Sequence, residues 1–163
     1  MSEEQRKVLD YIRSGNNVVV DACAGSGKST TILSIAKELT GKKIRQFTYN
    51  SQLRFDVKEN IKKMKLQNLE VHTYHSFAVK YYSDVAHTDT GIRQILREDT
   101  SPRNPIPLVD IVVLDESQDM TLLYFELVVK MAKNMCHKKN HSFQLLVLGD
   151  YMQGLYEFKG ADI

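Results

Sequence analysis

Short, strongly apolar runs alternate with longer amphipathic stretches along this chain. Several of the short runs are nearly continuous in Val, Ile and Leu and do not alternate between apolar and polar positions. Such runs are typical of strands that helices cover on both faces of a parallel sheet. The pattern predicts five strands, at residues 17–22, 44–49, 69–73, 109–115 and 143–149.

The stretches between these runs carry the apolar spacing of helices. They predict helices at residues 2–14, 28–39, 52–64, 75–83, 90–98 and 121–139. Ser2, with Gln5 three residues later, is a capping-box signature for the first helix, and Gly15 and Gly41 stand where helices would end. This alternation predicts a wound α/β domain with a parallel sheet of about five strands flanked by helices.

Residues 84–107 interrupt the alternation, because they are largely polar and hold all three prolines of the chain. We interpret the segment as a long loop that contains at most one short helix. Loops of this length inside a compact domain are often functional.

Composition narrows the class of protein. A chain of 163 residues is long enough for one domain with an ordinary core. No apolar run approaches the ~20 residues of a membrane helix, and the charged start lacks the features of a signal peptide, so we expect an intracellular protein without a membrane partner. Cys23 and Cys136 are too few for a disulfide framework. The basic clusters at residues 62–65 and 137–139 are more typical of solvated surface than of a binding site.

The sequence ACAGSGKST at residues 22–30 lies between a predicted strand and a predicted helix. Gly25 and Gly27 allow the backbone to approach a ligand closely, and consecutive N–H groups at a helix start attract phosphate oxygens. Lys28 is expected to neutralise the β- and γ-phosphates of ATP, and the Ser29 hydroxyl to bind Mg²⁺. The strict phosphate-loop pattern has glycine where this chain has Ala22, so an ordinary glycine-rich turn is the alternative.

Two acidic residues end another buried run, VDIVVLDE. Ligands of open α/β sheets bind at the carboxyl ends of the strands, so Asp115 is expected to hold Mg²⁺ and Glu116 to activate the attacking water. A solvated acidic turn is the alternative.

The chain after the last predicted strand reads GDYMQGLYEFKGA. Gln153 stands where an amide would reach the γ-phosphate or the water. Tyr156 and Phe158 would serve either as a stacking surface for bases or as core residues.

Six motifs, in order, resemble those of the UvrD/Rep/PcrA branch of superfamily 1 DNA helicases. Glu4-Gln5 is similar to the glutamine motif and ACAGSGKST to motif I, in which the first position is usually alanine. Thr48-Tyr49-Asn50 resembles motif Ia, and residues 73–77 (TYHSF) resemble the TFHSF segment. LDESQD resembles motif II, and GDYMQGLYEFKGA resembles motif III. The aromatic residue before Asn50 is closer to the F-box helicase subgroup.

The resemblance implies the first RecA-like domain of a motor that couples ATP hydrolysis to movement along single-stranded DNA. The implied contacts to ATP come from Gln5, Ala24, Gly25, Ser26, Gly27, Lys28, Ser29 and Thr30. Mg²⁺ would be held by Ser29 and Asp115, and catalysis would use Lys28, Glu116 and Gln153. The implied DNA contacts are Tyr49, Asn50, His75, Tyr156, Phe158 and Lys159.

The chain also departs from the family pattern. Lys159 replaces the usual arginine, which keeps the charge and loses the planar fork. The subdomain that the family inserts after the TFHSF segment is reduced to about residues 84–107, and motifs IV to VI of a second RecA-like domain are missing. Residues 1–163 are therefore expected to bind nucleotide, to hydrolyse it poorly and not to translocate. A standalone nucleotide-binding module that docks a partner is the alternative.

Overall fold

A computed structural model describes residues 2–21, 28–115, 121–135 and 142–149. Its five strands are β1 (Val18–Asp21), β2 (Ile44–Thr48), β3 (Leu69–Thr73), β4 (Ile111–Leu114) and β5 (Gln144–Gly149). They form one sheet in the order β1-β5-β4-β2-β3, and every neighbouring pair is parallel. The predicted parallel sheet of five strands is confirmed.

Six α-helices cover the sheet: α1 (Glu3–Arg13), α2 (Lys28–Glu38), α3 (Ser51–Met64), α4 (Tyr74–Tyr81), α5 (Asp89–Glu98) and α6 (Leu122–Met135). Helices α1, α2 and α3 pack on one face of the sheet, and α4, α5 and α6 pack on the other. None of the described helices is both long and apolar enough to span a membrane.

The helix ends follow from local sequence. Ser2 and Gln5 form the predicted capping box of α1, and Gly15, with φ of +84°, takes the left-handed conformation that follows the helix. Thr73 and Ser76 form a second capping box, which begins α4 directly at the end of β3. The start of α4 is therefore held firmly at the carboxyl edge of the sheet.

The two sides of the sheet have different cores. Between the sheet and helices α1 to α3 most buried side chains are aliphatic, with Ile32, Ile35 and Ile111 almost completely inaccessible. Between the sheet and helices α4 to α6 the core is rich in aromatic rings, among them Phe47, Tyr74, Phe77, Tyr81, Tyr82 and Tyr124.

The segment at residues 84–107 is more ordered than a loop. A short 3₁₀ helix, Asp84–His87, leads into α5, whose Ile92 and Ile95 are buried in the aromatic core. Gly91 makes this packing possible, since a Cβ atom there would lie 1.6 Å from the carbonyl oxygen of Val85. The helix predicted at residues 90–98 is confirmed as α5 to within one residue, and the element that the sequence reading missed is the 3₁₀ helix before it.

Apart from the end of the last helix, the element boundaries differ from the predictions by at most two residues, and β3 matches its prediction at both ends. Strand β4 begins at Ile111 and not at residue 109. The residue before it, Asp110, accepts a hydrogen bond on its carboxylate from the backbone N–H of Lys43. Strand β2 ends at Thr48, so Tyr49 leaves the sheet and becomes exposed. The last part of the predicted sixth helix, residues 136–139, lies outside the described residues.

Candidate nucleotide and nucleic-acid site

The carboxyl ends of the five parallel strands meet at one edge of the sheet, where ligands of α/β sheets bind. The strand order divides this edge into two halves. Strands β1, β5 and β4 lead to the residues predicted to handle the nucleotide. Strands β2 and β3 lead to Tyr49, Asn50 and His75, which are predicted to contact DNA.

At one end of the edge, β1 stops at Asp21 and α2 begins at Lys28. The start of an α-helix presents free N–H groups and the positive end of the helix dipole, which suits phosphate. Ala24, Gly25, Ser26 and Gly27 lie outside the described residues, as do the side chains of Lys28, Ser29 and Thr30. The backbone therefore has the strand-to-helix context that the phosphate-loop prediction requires.

Asp115 directly follows β4 and is buried, with 1% of its surface exposed. Its backbone N–H donates to the carbonyl oxygen of Phe47 at 2.9 Å, which continues the β2–β4 ladder by one residue. Its Oδ2 accepts a hydrogen bond of 3.2 Å from Nε2 of Gln46. An ionised carboxylate accepts several bonds, so Asp115, buried at the carboxyl end of a central strand, has the chemistry to hold a cation.

Other buried oxygen atoms lie in the same part of the core. The hydroxyls of Thr48 and Tyr74 and Oε1 of Gln46 are inaccessible, and none of the three has a hydrogen-bond partner among the described residues. Burial and the negative charge of Asp115 raise the pKa of Tyr74. Oxygen ligands are those that Mg²⁺ prefers, usually with several waters retained. The residues present therefore fit a hydrated Mg²⁺ ion held through Asp115.

Strand β5 lies between β1 and β4. Since neighbouring strands are about 4.8 Å apart, β1 and β4 are separated by about 10 Å. The intervening strand ends at the buried Gly149, which has no side chain. Glu116 and Gln153, which follow β4 and β5 in the sequence, lie outside the described residues.

Gln5, the predicted adenine contact, is committed to the helix cap. Its Oε1 accepts a hydrogen bond of 3.1 Å from the backbone N–H of Ser2. Its amide nitrogen is the group that remains for a ligand, because the cap uses the acceptor of the side chain.

Tyr49 and Asn50 follow β2. Tyr49 is 52% exposed, and its ring centre lies 5.9 Å from that of Tyr124. Asn50 caps α3 through Oδ1, which accepts from the N–H groups of Gln52 at 2.8 Å and Leu53 at 3.3 Å. The amide nitrogen of Asn50 therefore remains available for a ligand, whereas Tyr49 offers an exposed ring surface.

His75, in the first turn of α4, is held by two residues from other helices. Its Nε2 lies 2.7 Å from Oδ1 of Asp89 on α5, and its ring packs edge-on against Tyr124 at 5.6 Å. The Tyr124 hydroxyl also donates to Oδ1 of Asp89, at 2.9 Å. Burial tends to raise the pKa of Asp89, but the hydrogen bonds from Tyr124 and His75 hold it below its ordinary value.

An ionised carboxylate only accepts hydrogen bonds, so Nε2 of His75 carries the proton in this arrangement. The structure thus brings Tyr49 and His75 together around one ring, that of Tyr124. The other predicted DNA contacts, Tyr156, Phe158 and Lys159, lie outside the described residues.

Sequence reasoning missed Gln46, Asp89 and Tyr124. Gln46 could have been found from the sequence, because a buried polar side chain inside a central parallel strand needs a hydrogen-bond partner. Tyr124 shares helical spacing with the core residues Leu127, Val128 and Met131, so its pattern indicated only a core ring. Nothing local connects Asp89 to His75, fourteen residues away.

Known proteins share this architecture. Over 90% of the chain, the sequence is 28% identical to the RecBCD enzyme subunit RecB of Buchnera aphidicola, of which it spans only 14%. Two solved helicase structures share the fold of the chain. One is the Pif1 helicase of Candida albicans, with TM-score 0.58, 21% identity and coverage of 93% of this chain and 32% of the other.

The other is the DEAH/RHA helicase HrpB of Escherichia coli, with TM-score 0.56, 16% identity and coverage of 89% of this chain and 19% of the other. These similarities confirm the predicted RecA-like helicase fold. The sequence also matches the family described as AAA domain over residues 5–159, nearly its whole length. The chain is a helicase-like ATP-binding domain and belongs to the AAA domain family.

Proposed function

We propose that this chain is the ATP-binding part of the motor of a UvrD-like DNA helicase, in which hydrolysis of ATP drives movement along single-stranded DNA. The order of the strands is the observation that carries the proposal. It gathers β1, β5 and β4 on one half of the carboxyl edge, and it sets the exposed Tyr49 and the held His75 on the neighbouring half.

The position of β5 supports a role for Gln153. Strand β5 runs between β1 and β4 and ends at Gly149. Four further residues span at most about 14 Å, which covers the separation of about 10 Å between β1 and β4. A side chain at Gln153 is therefore within reach of a γ-phosphate bound between the α2 N-terminus and Asp115.

The residues divide the chemistry of ATP hydrolysis among them. The backbone of residues 24–30 binds the phosphates, and Lys28 balances their charge as the bond to the γ-phosphate breaks. Ser29 and Asp115 would hold Mg²⁺, which would neutralise the negative charge of the phosphates. Glu116 accepts the proton of the attacking water, and Gln153 orients that water against the γ-phosphate.

On the neighbouring half of the edge, Tyr49 offers its exposed ring for stacking with a base. Nδ2 of Asn50 and the ring of His75 flank it as hydrogen-bonding groups. Tyr156, Phe158 and Lys159 complete the DNA contact in this proposal, with Lys159 paired to a phosphate.

The chain spans 14% of its RecB relative and 32% or less of the two helicase structures. A second domain that approaches the γ-phosphate would supply an arginine, which in phosphoryl-transfer enzymes contributes about 10³–10⁵ in turnover. We therefore propose that residues 1–163 alone bind ATP and hydrolyse it slowly.

Calorimetric titration with a non-hydrolysable ATP analogue tests the nucleotide site. Binding is expected to require Mg²⁺ and to be lost in Lys28→Ala. Lys37→Ala, in the last turn of the same helix, is the matched control and should bind as the unmodified chain does. Equal affinity of the Lys28 variant and the Lys37 variant would remove the phosphate-loop assignment.

The coupling to DNA is tested by ATPase rates of this chain and of a longer parent chain, with and without single-stranded DNA or RNA. We expect stimulation by DNA in the longer chain, and its loss in Glu116→Gln with nucleotide binding retained. Nucleotide binding without stimulation by either nucleic acid would favour the standalone partner-docking module. Preferential stimulation by RNA would reassign the motor to an RNA substrate.

A further inference from the structure

A groove of about 510 Å³ runs along the outer side of β3. Strand β3 ends the sheet as the structure describes it, with β2 as its partner on the other side. Helix α3 packs against one face of the sheet and α4 against the other, so the two helices form the walls of the groove. Its floor is formed by residues of β3.

Four cationic side chains line this groove. Arg54, Lys58 and Lys62 come from α3, at intervals of four residues, and Lys80 comes from α4 on the opposite wall. Helical residues four apart share one face and are separated by about 6 Å along the axis. The charges of Arg54, Lys62 and Lys80, together with partial burial, lower the pKa of Lys58. The cations are therefore close enough to repel one another.

The acidic residues nearby leave most of this positive charge uncompensated. Glu70 also lines the groove, but its carboxylate accepts a 2.6 Å hydrogen bond from the buried Arg45, on the core side of the strand. Lys62 lies 3.7 Å from Glu59 in an exposed pair on its own helix, which contributes little to the free energy. The groove thus has the charge to bind an anionic polymer.

The floor of the groove offers little for an added peptide strand. Alternate residues of β3 direct their backbone groups away from β2, beginning with Leu69. Within this set, the carbonyl oxygen of Val71 accepts from Nε of Arg54 at 3.4 Å. The N–H of Thr73 donates to the Ser76 hydroxyl, which in turn donates to the Thr73 carbonyl. Three of the six backbone groups that Leu69, Val71 and Thr73 direct outward are therefore already bonded, which interrupts the ladder that an added strand would need, and the cations dominate recognition.

One end of the groove lies next to the residues that are proposed to contact DNA. Asn50 caps the helix whose next turns carry Arg54, Lys58 and Lys62, and Ser76 of the groove follows His75 directly on α4. We propose that the groove binds the sugar–phosphate backbone of a nucleic-acid strand that continues from Tyr49 and His75 along α3. This inference rests on the proposed DNA-binding function and extends its path.

Fluorescence anisotropy with labelled oligothymidylates of about 6 and about 16 nucleotides tests the path. The short strand occupies only the end at Tyr49, and the longer strand also enters the groove. In the double variant Lys58→Gln, Lys62→Gln the plot of log K against log[salt] for the longer strand should become less steep. We expect the magnitude of its slope to decrease by about 1.4, which is about 0.7 for each single-strand phosphate contact that is lost. Binding of the short strand should be unchanged.

The matched control is the double variant Lys37→Gln, Lys63→Gln. It removes the same charge from exposed positions outside the groove and should leave both slopes as they are. Thermal unfolding of both double variants shows whether they are folded alike, since all four lysines are exposed.

Each outcome bears on one proposal. Equal slopes in the groove variant and its control, with Tyr49→Ala still weakening both strands, would overturn the groove and leave the proposed function standing. Loss of poly-L-glutamate binding in the groove variant, without any change for DNA, would replace the strand path by a docking surface for acidic protein. Failure of the unmodified chain to bind either strand would overturn the DNA-binding function and with it the groove.

Discussion

The two faces of the sheet are built from different side chains. Under helices α1 to α3 most buried residues are aliphatic, and a hydrogen bond from Gln46 to Asp115 lies at the carboxyl end of the strands. Under α4 to α6 the rings of Phe47, Tyr74 and Tyr124 stack in sequence. The centres of Phe47 and Tyr74 are 5.4 Å apart, and those of Tyr74 and Tyr124 are 4.7 Å apart with planes inclined by 8°.

The aromatic face also contains a buried cation with several polar contacts. Arg45 is fully buried there and contacts Glu70, the carbonyl of Pro107 and the sulfur atoms of two methionines, Met131 and Met135. Aliphatic cores stabilise mainly by the area they bury, whereas stacked rings and hydrogen bonds require defined geometry. The two faces therefore position different halves of the candidate site: the aliphatic face carries α2 and Asp115, and the aromatic face holds His75.

The largest expected effect concerns Arg45. Arg45→Ala removes the buried guanidinium that pairs with Glu70 and leaves a cavity in the core. We therefore expect the free energy of unfolding to fall by about 3 kcal/mol or more. Ile35→Val on the aliphatic face should cost only about 0.5–1.5 kcal/mol. Urea denaturation of both variants measures the contrast, and similar losses would mean that the polar contacts of the aromatic face contribute little.

A second prediction concerns the close approach of α5 to the 3₁₀ helix. In Gly91→Ala the new Cβ would meet the backbone of Val85 at 1.6 Å, so we expect a loss of about 2–3 kcal/mol, the upper range for overpacking. Gly41→Ala is the control, since a Cβ there has no neighbour within 4 Å. Thermal unfolding compares the two, and an unchanged Gly91 variant would show that α5 can move outward freely.

A smaller effect is expected for Tyr124→Phe, which keeps the stacked ring and removes the 2.9 Å hydrogen bond to Asp89. The stability should fall by about 1 kcal/mol. Single-strand affinity should also fall, because Asp89 then holds His75 less firmly. Tyr11→Phe, at an exposed position on α1, is the control in both measurements. Unchanged DNA affinity in Tyr124→Phe would separate the hydrogen bond from the nucleic-acid contact.

The smallest expected effect depends on pH. Burial raises the pKa of Glu70, but the His72 ring, whose Nε2 lies 3.4 Å from the carboxylate, and the charge of Arg45 more than offset this and lower the pKa to about 2. A lowered pKa contributes stability that is complete above the ordinary value and is lost as the pH falls from about 5 towards 2. The loss should be about 1 kcal/mol, since the carboxylate is partly exposed and screened.

Unfolding midpoints between pH 7 and pH 3 test this linkage. Glu70→Gln should unfold at a lower denaturant concentration at neutral pH and should vary less with pH than the unmodified chain. Glu4→Gln, exposed on α1, should leave the pH profile unchanged. Parallel profiles for the Glu70 variant and the unmodified chain would contradict the assigned ion pair with Arg45.

The sequence predicted the fold well, because the signals that determine it are local. Continuous apolar runs located all five strands, and the Ser2–Gln5 pair located the first helix cap. Within residues 84–107 the helix at 90–98 was predicted, whereas the 3₁₀ helix at Asp84–His87 is too short to leave an apolar period in the sequence.

The residues of the candidate site could be predicted from the sequence only where they belong to a local motif. The position of Asp115 follows from an acidic residue after a buried strand, and the structure bears out that placement. The contacts of Asp89, Tyr124 and Gln46 join residues that are far apart in the chain, so only the folded structure brings them together. The strand order is of the same kind, since no local pattern tells which strands become neighbours.

That order also has a consequence for how the chain folds during synthesis. Among the described residues, Val18–Asp21 pairs with Gln144–Gly149 alone. Of these five strands, β1 leaves the ribosome before the others and must wait for β5 before it joins the sheet. Contacts between strands so far apart in the sequence form slowly. Until then the first strand has an open edge, which in partly folded chains favours aggregation. Folding should accordingly be completed only after the fifth strand has been released, with the start of the chain added last.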